Sequence, residues 1–183
     1  ATDMKIKSRK AVIHAESEIK NEYKKDKKIA YQVELIDRDG SLVKSFKGDE
    51  TLLKAGETTT LKAAAEVDGL HFWSWGYGYL YTVKTSLWVD GKKVDEVATR
   101  TGFRKTRFAD GKIWLNDRVL QMKGFAQRTS NEWPGVGMSI PAWLSDYSNG
   151  MMVEGNANLV RWMHICPWKQ DIESCDRVGL IQA

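Results

Sequence analysis

The stretch Leu80–Leu120, LYTVKTSLWVDGKKVDEVATRTGFRKTRFADGKIWLNDRVL, decides the fold. It holds two Asp-Gly pairs, Asp90-Gly91 and Asp110-Gly111, each flanked by residues of strand character. A two-residue hairpin turn needs positive φ, which glycine accepts without steric cost, so each pair predicts a β-hairpin. Between the turns, Thr101-Gly102-Phe103-Arg104 marks the place where one set of strands ends and another begins. The stretch therefore reads as a joint between two domains, 1–103 and 104–183.

Upstream of the joint the pattern is that of short strands. Tyr31, Val33 and Leu35 alternate with Gln32 and Glu34, a period of two that buries one face. Asp37-Arg38-Asp39-Gly40 supplies a turn, and Leu42 to Phe46 alternates again on the return. Ala11 to Ala15 is a short apolar segment in which His14 reads as a strand residue. Thr58 to Val67 mixes β-branched residues with alanines, and the regular spacing of turns around it favours a strand over a helix. Recurrent strands and turns over about 100 residues predict an all-β immunoglobulin-like sandwich. There is no Cys-Trp-Cys pattern of the antibody type.

Composition narrows the class. Of 183 residues, 42% are hydrophobic and 28% charged, as in ordinary globular proteins. No apolar run approaches the roughly 18–20 residues of a membrane-spanning helix. The net charge of +4 is small, and charges alternate in sign. Even the densest run, Lys20 to Lys28, is interrupted by Glu22 and Asp26, and it reads as a solvated hairpin tip rather than a nucleic-acid footprint. Cys166 and Cys175 form no disulfide framework, and with His164 they lack the close Cys pairs that zinc requires. No metal or cofactor is expected. The opening Ala-Thr-Asp resembles neither an initiation site nor a signal peptide, so the chain reads as a piece of a longer protein. Localisation stays open between bacterial cytoplasm and periplasm.

From Leu70 to Tyr81 the chain is crowded with aromatics, LHFWSWGYGYLY. Its end is strand-like, while Trp73 to Tyr79 forms a loop around two glycines. Packing at the mouth of the sandwich is the simpler reading of this loop; a sugar-stacking platform is the other.

Downstream, Val119 to Met122 reads as a strand running into Gly124. Pro141 to Glu154 reads as a helix with Trp143, Leu144, Tyr147, Met151 and Met152 as its apolar residues, stopped by Gly155-Asn156. Leu159 to Met163, nearly continuous and apolar apart from Arg161, fits a parallel strand buried on both faces. Pro167 suits a first helical turn, with Trp168, Ile172 and Cys175 on one face and Gly179 ending the helix before Leu180-Ile181. Alternating strands and helices are the first βα units of a (β/α)8 TIM barrel. Such a barrel needs about 250 residues, so the fold class is a sandwich followed by a truncated barrel. Open strand edges on it lead us to expect a homo-oligomer or completion by another segment.

Taken in order, these residues resemble glycoside hydrolase family 2, the β-galactosidase, β-glucuronidase and β-mannosidase group. The family pattern Leu-Trp-Ser-Pro-x-x-Pro-x-Leu-Tyr, then a strand, Asp-Gly, Val-x-Asp-x-Val and Gly-Phe-Arg is similar to Phe72-Trp73-Ser74, Leu80-Tyr81, Asp90-Gly91, Val94-Asp95-Glu96-Val97 and Gly102-Phe103-Arg104. Trp75 and Gly78 stand where the family commonly has proline. The opening barrel strand is matched by Asp110 to Asn116 and Val119 to Gly124, Asn-x-Val-Arg-x-x-His by Asn158 to His164, and Cys-Asp-x-x-Gly-Leu by Cys175 to Leu180. The resemblance covers Leu70 to Leu180.

It implies a piece of a retaining exo-β-glycosidase, β-galactosidase-like, acting on a terminal β-glycoside, with β-glucuronide and β-mannoside still open. Retaining glycosidases use two carboxylates about 5–5.5 Å apart. In the family these are glutamates on later barrel strands, so no catalytic residue is expected before Ala183 and the piece itself should be inactive. His164, at the end of its strand, aligns with the family histidine that contacts the sugar and helps to stabilise the transition state. Trp168 offers a stacking face, where relatives often have Tyr-Pro after the histidine. Arg128 and Glu132 lie on the loop after the first strand, where Ala126-Gln127-Arg128-Thr129 replaces the family's Asn-x-His-Glu. Arg161 reads as a supporting residue within its strand. The competing reading is a non-catalytic carbohydrate-binding or adhesion module that uses the loop Trp73–Tyr79.

Overall fold

The computed structural model describes residues 1–128, 135–137 and 139–183. Among the described residues the chain is mostly β with two helices, and it divides into two compact units: 1–70 with 81–101, and 71–80 with 102–183.

In the first unit, β1 (Thr2–Lys5), β2 (Lys10–Lys20), β3 (Lys27–Ile36), β4 (Leu42–Lys47), β5 (Thr51–Leu53), β6 (Thr58–Val67), β7 (Tyr81–Val89) and β8 (Lys92–Thr101) form two sheets. One has the order β1-β2-β6; the other runs β4-β3-β7-β8, with β5 on the same edge of β3 as β4. Period-two alternation produces the shared core. Ile29, Tyr31 and Val33 of β3 and Val89 of β7 meet Ala15 of β2 and Leu61 and Ala63 of β6. At the Asp90-Gly91 turn both residues have positive φ, 49° and 80°, the geometry that matches strand twist in a two-residue hairpin. Thr58–Val67 is a strand throughout, ten residues paired with β2. The Lys20–Lys28 run is not a hairpin tip: β2 and β3 belong to different sheets, and the run carries the chain from one to the other. Its one buried residue, Asn21, pins it through side-chain N–H bonds to the carbonyls of Lys25, Leu53 and Lys54.

The second unit contains an antiparallel meander and a parallel sheet. β9 (Thr106–Ala109), β10 (Lys112–Leu115) and β11 (Arg118–Leu120) form the meander. Its first turn is Asp110-Gly111, and its second is Asn116-Asp117, with φ of 49° and 64°. That second turn corrects the reading of Val119–Met122 as the first strand of a parallel sheet, because Arg118–Leu120 folds back onto β10. The parallel sheet begins later, with β12 (Gly124–Gln127). α1 (Ala142–Glu154), β13 (Leu159–Trp162), α2 (Lys169–Val178) and β14 (Ile181–Gln182) follow, and the sheet order is β12-β13-β14.

Both helices differ from expectation in the face they bury. α1 buries Leu144, Ser145 and Asn149, and it leaves Trp143, Tyr147 and Met151 67%, 54% and 46% exposed. α2 starts at Lys169 with Trp168 as N-cap, so Pro167 precedes the helix, and the buried residues are Asp171, Ser174 and Cys175 rather than Trp168 and Ile172. Gly179 in the left-handed conformation ends α2, as a C-cap requires. Val160, Cys175 and Leu180 form the core between sheet and helices.

Candidate active site

Three parallel strands end on one edge of the sheet, and the sequence places its candidate residues just past those ends. Gln127 pairs with Trp162, and the N–H of Met163 donates to the Gln127 carbonyl at 2.9 Å. Arg128 therefore leaves β12 beside the point where His164 leaves β13, and both are exposed. His164 has φ of 65°, an uncommon conformation for a non-glycine residue, which turns the chain abruptly off the strand. Trp168, 47% exposed, closes the same loop as the N-cap of α2. Glu132 lies outside the described residues.

Arg161 faces away from the helices. Its neighbour Val160 is fully buried in the core under α1 and α2, and successive strand residues point to opposite faces. The helix-free face thus carries Arg161 and its register partner Ala126, both exposed.

The helices that carry the loops are fastened to each other by polar pairs. Ser145 Oγ donates to Asp171 Oδ1 at 2.7 Å, and Asn149 Nδ2 donates to Ser174 Oγ at 3.0 Å, all four residues being buried. Arg177 makes a forked contact to the Asp146 carboxylate, with Nη2 at 2.8 Å and Nε at 3.2 Å. Asp171 Oδ2 also accepts the backbone N–H of Trp168, so one buried carboxylate fixes both the helix pair and the start of α2. Sequence reading missed these residues because it sought apolar periodicity. Ser145 with Asn149 at i, i+4 was the available signal.

The aromatic loop belongs to this unit, and the indole at its start is buried. Trp73 is 4% exposed, packs with Leu115 and Leu120, and donates from Nε1 to the carbonyl of Asp176 at 2.8 Å. Gly76 N–H donates to the Gly179 carbonyl, and a Cβ on Gly78 would overlap the Arg177 carbonyl. The loop is thus docked on the C-terminal end of α2. Trp75 and Tyr77, about two-fifths exposed, remain at its surface.

The described carboxylates after the joint sit on hairpin turns (Asp110, Asp117) or helices (Asp146, Glu154, Asp171, Glu173, Asp176). None ends a parallel strand. Desolvation raises the pKa of Asp176, against the pull of Arg104 and Arg177. Burial pushes the Cys175 thiol up to about 12. Cys166 is exposed, and both cysteines are free. Among the described residues no three His, Cys, Asp or Glu side chains gather as metal ligands, and no helix is long and apolar enough to cross a membrane.

Residues 1–104 match the family model described as glycosyl hydrolases family 2. Among curated proteins, the chain is 26% identical to a beta-glucuronidase of Formosa agariphila, with 96% of this chain and 18% of that protein aligned. It is 29% identical to a beta-galactosidase of Rhizobium meliloti over 77% of this chain and 19% of that protein. Among solved structures, a beta-glucuronidase from glycoside hydrolase family 2 superposes with a TM-score of 0.84 at 26% identity, covering 96% of this chain and 18% of that one. The chain spans about a fifth of the length of these relatives.

Proposed function

Because this chain belongs to glycosyl hydrolase family 2, we propose that it is the part of a longer retaining exo-β-glycosidase that joins an immunoglobulin-like sandwich to the first βα units of a catalytic (β/α)8 barrel. The observation that carries this reading is the parallel β12-β13-β14 sheet with Arg128 and His164 at its C-terminal edge, the edge on which such barrels build their sites. The exposed helix-free face with Arg161 fits a barrel interior. Phe125, 53% exposed on the helix side of the edge of β12 that has no partner strand among the described residues, fits a seam completed by further strands and helices, as do Trp143, Tyr147 and Met151.

In this reading the described part supplies positioning. His164 offers a ring nitrogen to a sugar hydroxyl as the oxocarbenium-like transition state forms, Arg128 a guanidinium, and Trp168 a stacking face. Glu132, which follows Arg128 in the sequence and lies outside the described residues, would be a further substrate contact. The acid/base and nucleophile carboxylates would come from strands beyond Ala183, since the described ones sit on turns and helices. A terminal β-galactoside or β-glucuronide is the substrate, in keeping with the names of the relatives.

The test is hydrolysis of nitrophenyl β-galactoside and β-glucuronide. A version extended beyond Ala183 should turn over one of them, and His164→Ala should lower its kcat/KM by about 10²-fold. The 183-residue chain should turn over neither. Robust hydrolysis by the chain alone would overturn the assignment of the carboxylates. The binding-module alternative would rest on Trp75 and Tyr77 rather than on the buried Trp73.

A further inference from the structure

The first unit has a cleft of about 300 Å³ on the side of β3 and β7 that faces away from the core, independent of the parallel sheet. It arises where the edge partner of β3 changes. Residues 27–29 pair with β5 and residues 32–36 with β4, which leaves a notch at Ala30 and Tyr31. Gly48 bridges the notch by donating its N–H to the Tyr31 carbonyl at 2.9 Å. A Cβ on Gly48 would overlap the Lys62 carbonyl, so only glycine lets the chain settle there.

The floor is set by sequence. Ala30 stands opposite Trp88 in the register, a methyl beside an indole, and the size difference makes the depression. Trp88 lines the cleft, yet its Nε1 is buried and takes no partner among the described residues, so what the ring shows the cleft is carbon. Lys28, Gln32, Lys47 and Glu50 line the rest. Lys28 Nζ holds Glu50 Oε2 at 2.5 Å, and this hydrogen bond keeps the Glu50 carboxyl below its ordinary pKa and ionised at neutral pH.

We propose that this cleft binds a single pyranose residue. A carbon floor that accepts ring C–H groups, with ammonium donors, a carboxylate acceptor and a carboxamide that does both, is the complement of a ring with an apolar face and a girdle of hydroxyls. The volume lies at the small end of the roughly 300–1,000 Å³ typical of ligand pockets, which suits one ring rather than a chain. The Glu50 carboxylate disfavours a polyanion. Two lysines against one glutamate leave one positive charge over, which favours a uronate over a neutral sugar.

The experiment is a titration of the ¹⁵N-labelled 183-residue chain with methyl β-glucuronide and with methyl β-glucoside, followed by NMR. The amides of Ala30, Gln32, Gly48 and Gly91 should shift with a dissociation constant on the order of 1 mM, the uronide binding more tightly. Ala30→Leu fills the notch without touching the core and should abolish the shifts. Trp88→Ala should weaken binding by about tenfold. Lys47→Glu should remove the preference for the uronide. Absence of shifts with both sugars, shifts confined to other residues, or shifts that survive Ala30→Leu would each overturn the proposal.

Discussion

Ser145 Oγ donates to Asp171 Oδ1 at 2.7 Å, a buried hydroxyl–carboxylate pair between two helices where an apolar contact would be ordinary. Because Asp171 also caps α2, its loss leaves both Ser145 and the Trp168 N–H without their acceptor.

Asp171→Ala is therefore expected to cost about 2–3 kcal/mol, and Asp146→Ala about 1 kcal/mol or less. The latter breaks a forked contact to Arg177 whose members are 41% and 28% exposed. Urea unfolding of the two variants side by side checks the ranking, and equal losses would contradict it.

Asp176 supplies a pH dependence with a defined sign. Desolvation raises its folded pKa above the ordinary 3.8, so the folded state holds the proton more readily than the unfolded chain. Its contribution is fully present below pH 3.8 and is lost as pH rises through the raised folded value. Asp176→Asn should accordingly be more stable than the parent at neutral pH, with the advantage vanishing below the ordinary value. Thermal unfolding across acidic and neutral buffers reads this out.

The two thiols should behave differently. Cys166 is exposed, whereas Cys175 is fully buried with its pKa pushed to about 12, so almost no thiolate forms near neutrality. Iodoacetamide at mildly alkaline pH should modify Cys166 alone in the folded chain and both residues in denaturant. Mass spectrometry of the digested protein distinguishes them.

Trp73→Phe keeps the ring and removes the bond to the Asp176 carbonyl, an expected loss of about 1–2 kcal/mol; Trp73→Ala should cost about 3–5 kcal/mol. Loss of near-ultraviolet circular dichroism at lower urea than in the parent would report it.

The legible parts of this fold are those in which local chemistry dictates local geometry. Asp90-Gly91 and Asp110-Gly111 announce their hairpins, and the alternation of Tyr31, Val33 and Leu35 announces the buried face of β3. Asn116-Asp117 escaped notice because it makes the same turn without glycine, drawing on the tolerance of Asn and Asp for left-handed backbone. α1 misled for another reason: its large apolar residues mark a face, but nothing local says whether that face is covered. At the candidate site, the position of His164 past the end of its strand followed from the apolar run Leu159–Met163 and the family resemblance, whereas β12, the strand that Arg128 follows, was not legible because Val119–Met122 was read in its place. The buried Asp171 depends on a partner 26 positions away, which no local window contains.

The partner of the Trp73 indole is made 103 residues after it. At the roughly 5–20 residues per second of chain synthesis, the ribosome needs about 5–20 s to bring Asp176 into being. For that interval the strands on either side, β6 and β7, can already fold, while the ten-residue segment between them, which belongs to the second unit, must wait with its aromatic rings uncovered. A newly synthesised chain is thus most exposed to misassembly not at its growing end but at a loop it has long since left behind.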